Sequence, residues 1–203
     1  MLYLPDKTSF RFRSPQSLWI FGITFFVVGG LLVWGWLRPH HTLLLYWLTD
    51  VNNDLYYVQQ QRSFSSLTLE DAIAQAIKNL IQGNRDSRLV SALPSETEIL
   101  NVRVEGDDIF LNFSRDLTQG GGSTSILGRV TQILYTATSH NPNARVWISV
   151  EGEALSTLGG EGLLLEQPLS RASFQGTVQA PFVFKSLSEL DAFNQHLTKT
   201  QSK

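Results

Sequence analysis

Residues 99–113 read ILNVRVEGDDIFLNF, and this stretch decides the fold. Leu100, Val102 and Val104 alternate with Ile99, Asn101, Arg103 and Glu105, the two-residue period of a half-buried strand. Gly106-Asp107 is a two-residue turn, and DIFLNF returns from Asp108 to Phe113 as the partner strand,. A tight hairpin of this kind is antiparallel and needs apolar cover on one face.

Working upstream, Thr68 opens a helix, with Asp71 three residues on and Gly83 closing the run TLEDAIAQAIKNLIQ,. Leu69, Ile73, Ala76, Ile77 and Leu80 form one apolar stripe, so that face must pack on a sheet. Residues 83–97, with Asn84-Arg85-Asp86-Ser87 and Pro94, read as an irregular connection,. Further upstream, residues 43–48 (LLLYWL) suit a strand buried on both sides, and residues 55–61 (LYYVQQQ) its hairpin partner, with Asp50, Asn52, Asn53 and Asp54 between them,.

Downstream, Gly120-Gly121-Gly122 leads into a second helix that Ser123 or Thr124 caps, and His140-Asn141-Pro142 stops it,. Its stripe is Ile126, Leu127, Val130, Ile133, Leu134 and Ala137, and residues 144–150 (ARVWISV) follow as a strand ended by Glu151-Gly152,. The order strand-strand-helix-strand-strand-helix-strand predicts an α+β fold, one mixed sheet with two helices packed on one face. Beyond Arg171, Ser186 and Glu189 have capping-box spacing, and Leu187, Leu190, Phe193 and Leu197 continue a short helix,. The polar residues 198–203 are expected to be disordered.

Residues 18–37, LWIFGITFFVVGGLLVWGWL, carry no charge and have the length of a membrane-crossing helix,. Trp19 at one end and Trp34 and Trp36 at the other suit the two interfaces,. Lys7, Arg11 and Arg13 precede the span against Asp6 alone, which places the amino terminus in the cytoplasm and exports the remainder,. No small-residue cleavage pattern follows, so the segment reads as an uncleaved anchor. The expected division is a cytoplasmic tail over 1–17, a span over 18–37, a linker over 38–42, a folded domain over 43–171 and a carboxy-terminal extension over 172–203.

The 203 residues carry a net charge of -2 and no cysteine. That balance gives no case for nucleic acid, and disulfides, thiolate metal sites and thiol nucleophiles are excluded. Asp50, Asn52 and Asp54 have the alternate spacing of a calcium loop, but the glycine and flanking helices are missing and a hairpin turn is the better account. Glu105, Asp107 and Asp108 cluster without needing more than a turn to explain them. His40, His41, His140 and His196 show no zinc-type pairing, and Ser114, Ser139 and Ser170 lack the serine-hydrolase context. The expectation is therefore no catalytic, cofactor or metal residues. Tyr46, Trp47, Tyr56 and Tyr57 alternate across the first hairpin and are the candidate partner or glycan surface.

Several local signatures together resemble the GerMN family over residues 43–171. They are Leu93-Pro94-Ser95-Glu96-Thr97, Asn112-Phe113-Ser114 with Asp116, Gln132-Ile133-Leu134-Tyr135-Thr136, Val150-Glu151-Gly152 and Pro168-Leu169-Ser170-Arg171. Asn84 and Glu96 depart from the family's usual proline and glycine, both in loops. The resemblance implies an envelope-anchored, single-pass protein of the bacterial cell membrane, of a sporulation or germination type, with no catalytic residues to carry over. Its expected role is an extracytoplasmic scaffold with envelope protein partners and peptidoglycan contact. The alternative is a cell-wall hydrolase using Asp107, Asp108 or Asp116.

Overall fold

The computed structural model describes residues 39–158, 163–173 and 183–201. The span over 18–37 and the tail before it lie outside the described residues, among which no helix is long and apolar enough to cross a membrane.

The chain opens on a long hairpin. Strands β1 (His40–Val51) and β2 (Asp54–Ser65) pair antiparallel in unbroken register from His40 against Ser65 to Val51 against Asp54. Asn52 and Asn53, at φ 55° and 68°, supply the two left-handed positions of the turn, a conformation asparagine tolerates and the strand twist favours. The Asp50 carboxylate accepts from the Asn53 N–H at 3.4 Å. The D-x-N-x-D spacing therefore makes a turn, and no group of three metal-ligating side chains occurs among the described residues.

Helix α1 (Leu69–Gln82) has the ends its sequence predicts: Thr68 Oγ1 accepts from the Asp71 N–H at 3.2 Å, and Gly83 closes it at φ 82°. Ala72, Ile73, Ala76, Ile77 and Leu80 are buried. Thr68→Ala is expected to lower stability by about 1 kcal/mol in urea unfolding, the usual cost of losing a hydroxyl cap.

The central hairpin is β3 (Ile99–Glu105) and β4 (Asp108–Phe113), with Arg103 opposite Phe110 and Glu105 opposite Asp108. Ile109, Leu111 and Phe113 fill the core. Leu100 departs from its expected face. The pairing slips by one residue between Ile99 and Asn101, and the extra residue of this bulge leaves Leu100 45% exposed while Ile99 packs against the core.

A 3-10 turn (Arg115–Thr118) and the glycine run precede helix α2 (Ser123–Ala137). Its N-cap position is Gly122, with no side-chain cap, in place of the expected Ser123 or Thr124. The helix carries the chain across to β5 (Arg145–Val150), which lies parallel to β4, a pairing that needs a long crossover. Glu151-Gly152, at φ 51° and 86°, turns it into β6 (Glu153–Ala154).

Instead of one mixed sheet, the described residues form two, ordered β1-β2-β9, with β9 at Val183–Phe184, and β3-β4-β5-β6, beside a small ribbon of β7 (Thr157–Leu158) and β8 (Leu163–Leu164). Each hairpin recruits its own third strand. Strand β5 crosses onto β4, whereas β2 takes the two-residue strand β9 (Val183–Phe184) parallel to Tyr57 and Val58. The outer edge of β1 meets Val90 through Leu48, with N–H to O distances of 2.9 and 2.8 Å, so the hairpins share no edge. Helix α1 packs against β1, β2 and β3, and α2 against β1 and α1; the α+β class stands.

Helix α3 (Leu187–Gln201) starts where the capping residues predict. Ser186 Oγ accepts from the Glu189 N–H at 3.3 Å, and the Glu189 carboxylate accepts from the Lys185 N–H at 2.6 Å. It runs on to Gln201, through residues expected to be disordered. Leu190 and Phe184 are buried, and Phe184 and Phe193 pack on Tyr56.

Candidate interaction site

The polar side chains of α2 hold the surface loops in place. Arg129, Gln132 and Thr136 recur at three- and four-residue steps and are almost wholly buried, as is Thr131. Gln132 accepts from the Ala92 N–H at 2.7 Å and donates to the carbonyls of Tyr46 at 2.9 Å and Val90 at 3.4 Å. Thr136 Oγ1 accepts from the Tyr46 N–H at 3.2 Å. Together they occupy the edge of β1 that would otherwise leave backbone groups unpaired. Helix and strand approach closely here: a Cβ on Gly128 would lie 3.1 Å from Leu48 Cδ1.

Arg129 donates to the carbonyls of Ala92 at 3.1 Å, Gly120 at 3.3 Å and Leu117. Burial pushes its pKa below the usual arginine value, yet guanidinium stays charged, and the carbonyl dipoles are its compensation. At the other end of α2, Arg171 donates to Tyr135 O at 2.9 Å and Thr138 Oγ1 at 2.8 Å, with its guanidinium 4.5 Å from the Tyr135 ring centroid. A cation at a helix carboxy terminus is favourable there.

The expected aromatic surface on the first hairpin needs correction. Tyr46, Trp47 and Tyr57 are buried, and Tyr56 is half-buried beneath Phe184 and Phe193. Tyr46 packs edge-on to Tyr135 at 5.3 Å, and burial pushes the Tyr57 phenol up to about 12. Adjacent residues on a strand point to opposite faces, so burial of both Tyr46 and Trp47 means that β1 is covered on both sides.

The acidic candidates are each held in a separate interaction. Asp108 accepts from Arg145 Nη2 at 2.6 Å and Trp147 Nε1 at 3.2 Å, and the arginine holds its carboxyl below the usual range, the opposite of the raised pKa of a general acid. Glu105 pairs with Arg103. Asp107 accepts from Asn141 at 2.9 Å, and Asp116 from Ser114 Oγ at 3.1 Å. Ser114 Oγ in turn accepts from the Glu98 N–H at 2.9 Å.

Sequence reasoning missed the solvent face of the four-stranded sheet. Strand register sets Arg103, Phe110 and Trp147 in one cross-strand row. The Arg103 guanidinium lies 4.3 Å from the Phe110 ring centroid, and the Phe110 and Trp147 rings are near parallel with centroids 6.0 Å apart. Glu105, Asp108 and Arg145 form the row on one side, and Asn101, Asn112 and Ser149 the row on the other. The signal was available: Phe110 and Trp147 occupy the polar phase of DIFLNF and ARVWISV. Where β5 ends, a cleft of about 290 Å³ is lined by Arg115, Thr118, Val150, Glu151, Glu153 and Thr157 among others.

Partial desolvation of His140, an exposed residue, lowers its pKa from 6.5, with the Ala137 carbonyl and Asp107 opposing and His41 assisting. The unfolded chain then binds the proton first, so this stability is complete above the unfolded value and declines as pH falls towards the folded one. Urea midpoints at pH about 7.5 and about 5.5 should show lower stability at the acid value, and His140→Leu should flatten the difference.

The model of the Germane family, described as sporulation and spore germination, matches residues 44–156, more than half of the chain. The chain belongs to this family. Among solved structures, it is similar to the tandem GerMN domains of the sporulation protein GerM from Bacillus subtilis, with 22% identity and a TM-score of 0.53 over 66% of this chain and 46% of that one. The Germane chain thus spans about half the length of that protein, and the likeness is one of fold. It also matches the first GerMN domain of GerM, at 21% identity and a TM-score of 0.49 over 66% of this chain and 98% of that one. A lipoprotein structure from Clostridium perfringens matches at 23% identity and a TM-score of 0.47 over 68% and 91%. No curated protein matches. Within the Germane domain, Gln132 and Thr136 of the second-helix motif bind the β1 backbone, and Arg171, beyond the matched residues, bonds the end of α2.

Proposed function

We propose that this Germane protein is a single-pass membrane protein whose residues 18–37 cross the bilayer and whose exported domain is a non-catalytic interaction module of the bacterial cell envelope. The observation that carries the reading is the commitment of every acidic candidate to a separate partner, in a domain of a family described by sporulation and germination. An uncharged stretch of membrane-spanning length supports the anchor,. The sheet face that carries the row of exposed Arg103 with half-buried Phe110 and Trp147 supports a binding role, since aromatic and arginine side chains dominate protein contacts. Envelope proteins are the partners this favours, with peptidoglycan a further contact.

Cross-linking in intact membranes, followed by identification of co-purified proteins, tests the role. Reproducible envelope partners are expected, and a chain that stays solitary at native abundance would contradict it. Incubating the chain with cell-wall polymer tests the chemistry: no turnover is expected, and turnover abolished by Asp108→Asn would replace a module with a hydrolase.

A further inference from the structure

The edges of the two sheets are treated unequally. Sheet edges expose unpaired N–H and C=O groups and invite another strand, so proteins usually cover them. The outer edge of β1 is bonded at its middle by Val90, Gln132 and Thr136, and that of β2 by β9. The outer edge of β5 is bonded by β6, by Leu169 and by the Gln167 carboxamide, which contacts Ile148 N at 2.6 Å and O at 2.8 Å. Strand β3 differs: among the described residues, no backbone or side-chain group bonds the outer edge of any of its seven residues.

Local geometry says which groups are on offer. Glu105 and Asp108 flank a two-residue turn and so form a hydrogen-bonded pair. Arg103 therefore also bonds towards β4, and Val102 and Val104 point their N–H and C=O groups to the open side. This strand contains no proline or lysine, and its two charges, Arg103 and Glu105, are paired with each other,. The bulge leaves Leu100 45% exposed just where an added strand would cover it.

We propose that a second copy of this chain pairs antiparallel along β3, centred on Val102, joining the two four-stranded sheets into one of eight. The strand is self-complementary in this register. Val102 faces its own counterpart, and each Leu100 lies beside Val104 of the other copy. Asn101 faces Arg103, no like charges stand directly opposite, and each Arg103 keeps its own Glu105 alongside. The proposal rests on the interaction-module reading and names one partner for it.

The chain has no cysteine, so introduced thiols report cleanly. Full-length Asn101→Cys and Arg103→Cys chains with different tags are co-expressed and mildly oxidised in native membranes. Directly opposed residues should form a disulfide joining the two tags at about ten times the yield of a Ser95→Cys collision control, the ratio of a 1.4 kcal/mol preference. Two further changes should each return the yield to that control: Leu100→Lys, at an already exposed position, and Val102→Pro, which removes an N–H that points away from β4. A yield no higher than the control, one undiminished by both changes, or disulfides from residues 101 and 103 to a different protein would overturn the pairing. Envelope proteins that still co-purify with the Leu100→Lys chain would show that the module reading survives that failure.

Discussion

Replacing Gln132 with leucine is expected to lower the unfolding free energy of residues 39–203, a compact unit in their own right, by about 3 kcal/mol. The side chain is wholly buried, and leucine fills nearly the same volume, so the loss isolates the hydrogen bonds. Without the carboxamide, Ala92 N–H loses its acceptor and Tyr46 C=O its donor, and the second of these bonds is buried. An orphaned buried polar group costs about 1–3 kcal/mol, which makes this change worse than most surface changes and comparable to a core truncation. Urea unfolding gives the number. Gln132→Glu is the sharper control, because it keeps the acceptor for Ala92 but removes the donor and introduces a charge.

Arg129→Ala is expected to cost about 4 kcal/mol, because a 2% exposed side chain that holds three carbonyls from two separate segments is removed, and charged hydrogen bonds contribute about 1.5–3 kcal/mol each before compensation. The damage should be local as well as global. Leu117 and Gly120 would lose their tie to α2, so protease cleavage should appear within residues 117–122 before the rest of the domain opens. Arg129→Lys should recover only part of the loss, since a compact ammonium cannot span the three acceptors that a planar guanidinium fork reaches.

These two residues mark where sequence reading stopped. What depends on neighbours within a few positions was legible: the Thr68–Asp71 cap, the Gly83 stop, both ends of β3 and β4, and the Ser186–Glu189 start of α3. What depends on distant choices was not. Whether a strand joins one sheet or two is decided by which edge its neighbours reach, and Tyr57–Phe184 pairing over two residues leaves no periodic signal. The bulge at Leu100 breaks a clean alternation through pairing with β4, not through any residue of its own. Tyr46 and Trp47 followed the other reading of LLLYWL, a strand buried on both sides, and the aromatic surface expected there was lost to it. Arg129, Gln132 and Thr136 recur beside the apolar stripe of α2 at three- and four-residue steps, and that recurrence was the available clue to the buried polar bonds.

For function, the consequence is a domain whose polar chemistry is largely turned inward. The motif of α2 binds backbone, the acidic side chains bind neighbours, and what remains is the row of exposed Arg103 with half-buried Phe110 and Trp147, and the open edge of β3. Such a domain suits contact with other proteins, provided it is displayed where they are.

Everything proposed for this chain depends on residues 39–203 lying across a bilayer from residues 1–17. Single thiols introduced at Ser9 and at Ser202 of the cysteine-free full-length chain, probed in intact spheroplasts with a membrane-impermeant maleimide, test that directly. Labelling at 202 in intact cells, with 9 labelled only after lysis and the chain in the membrane fraction, is the expected result. Equal labelling of both sites, or a chain recovered from the soluble fraction, would contradict it.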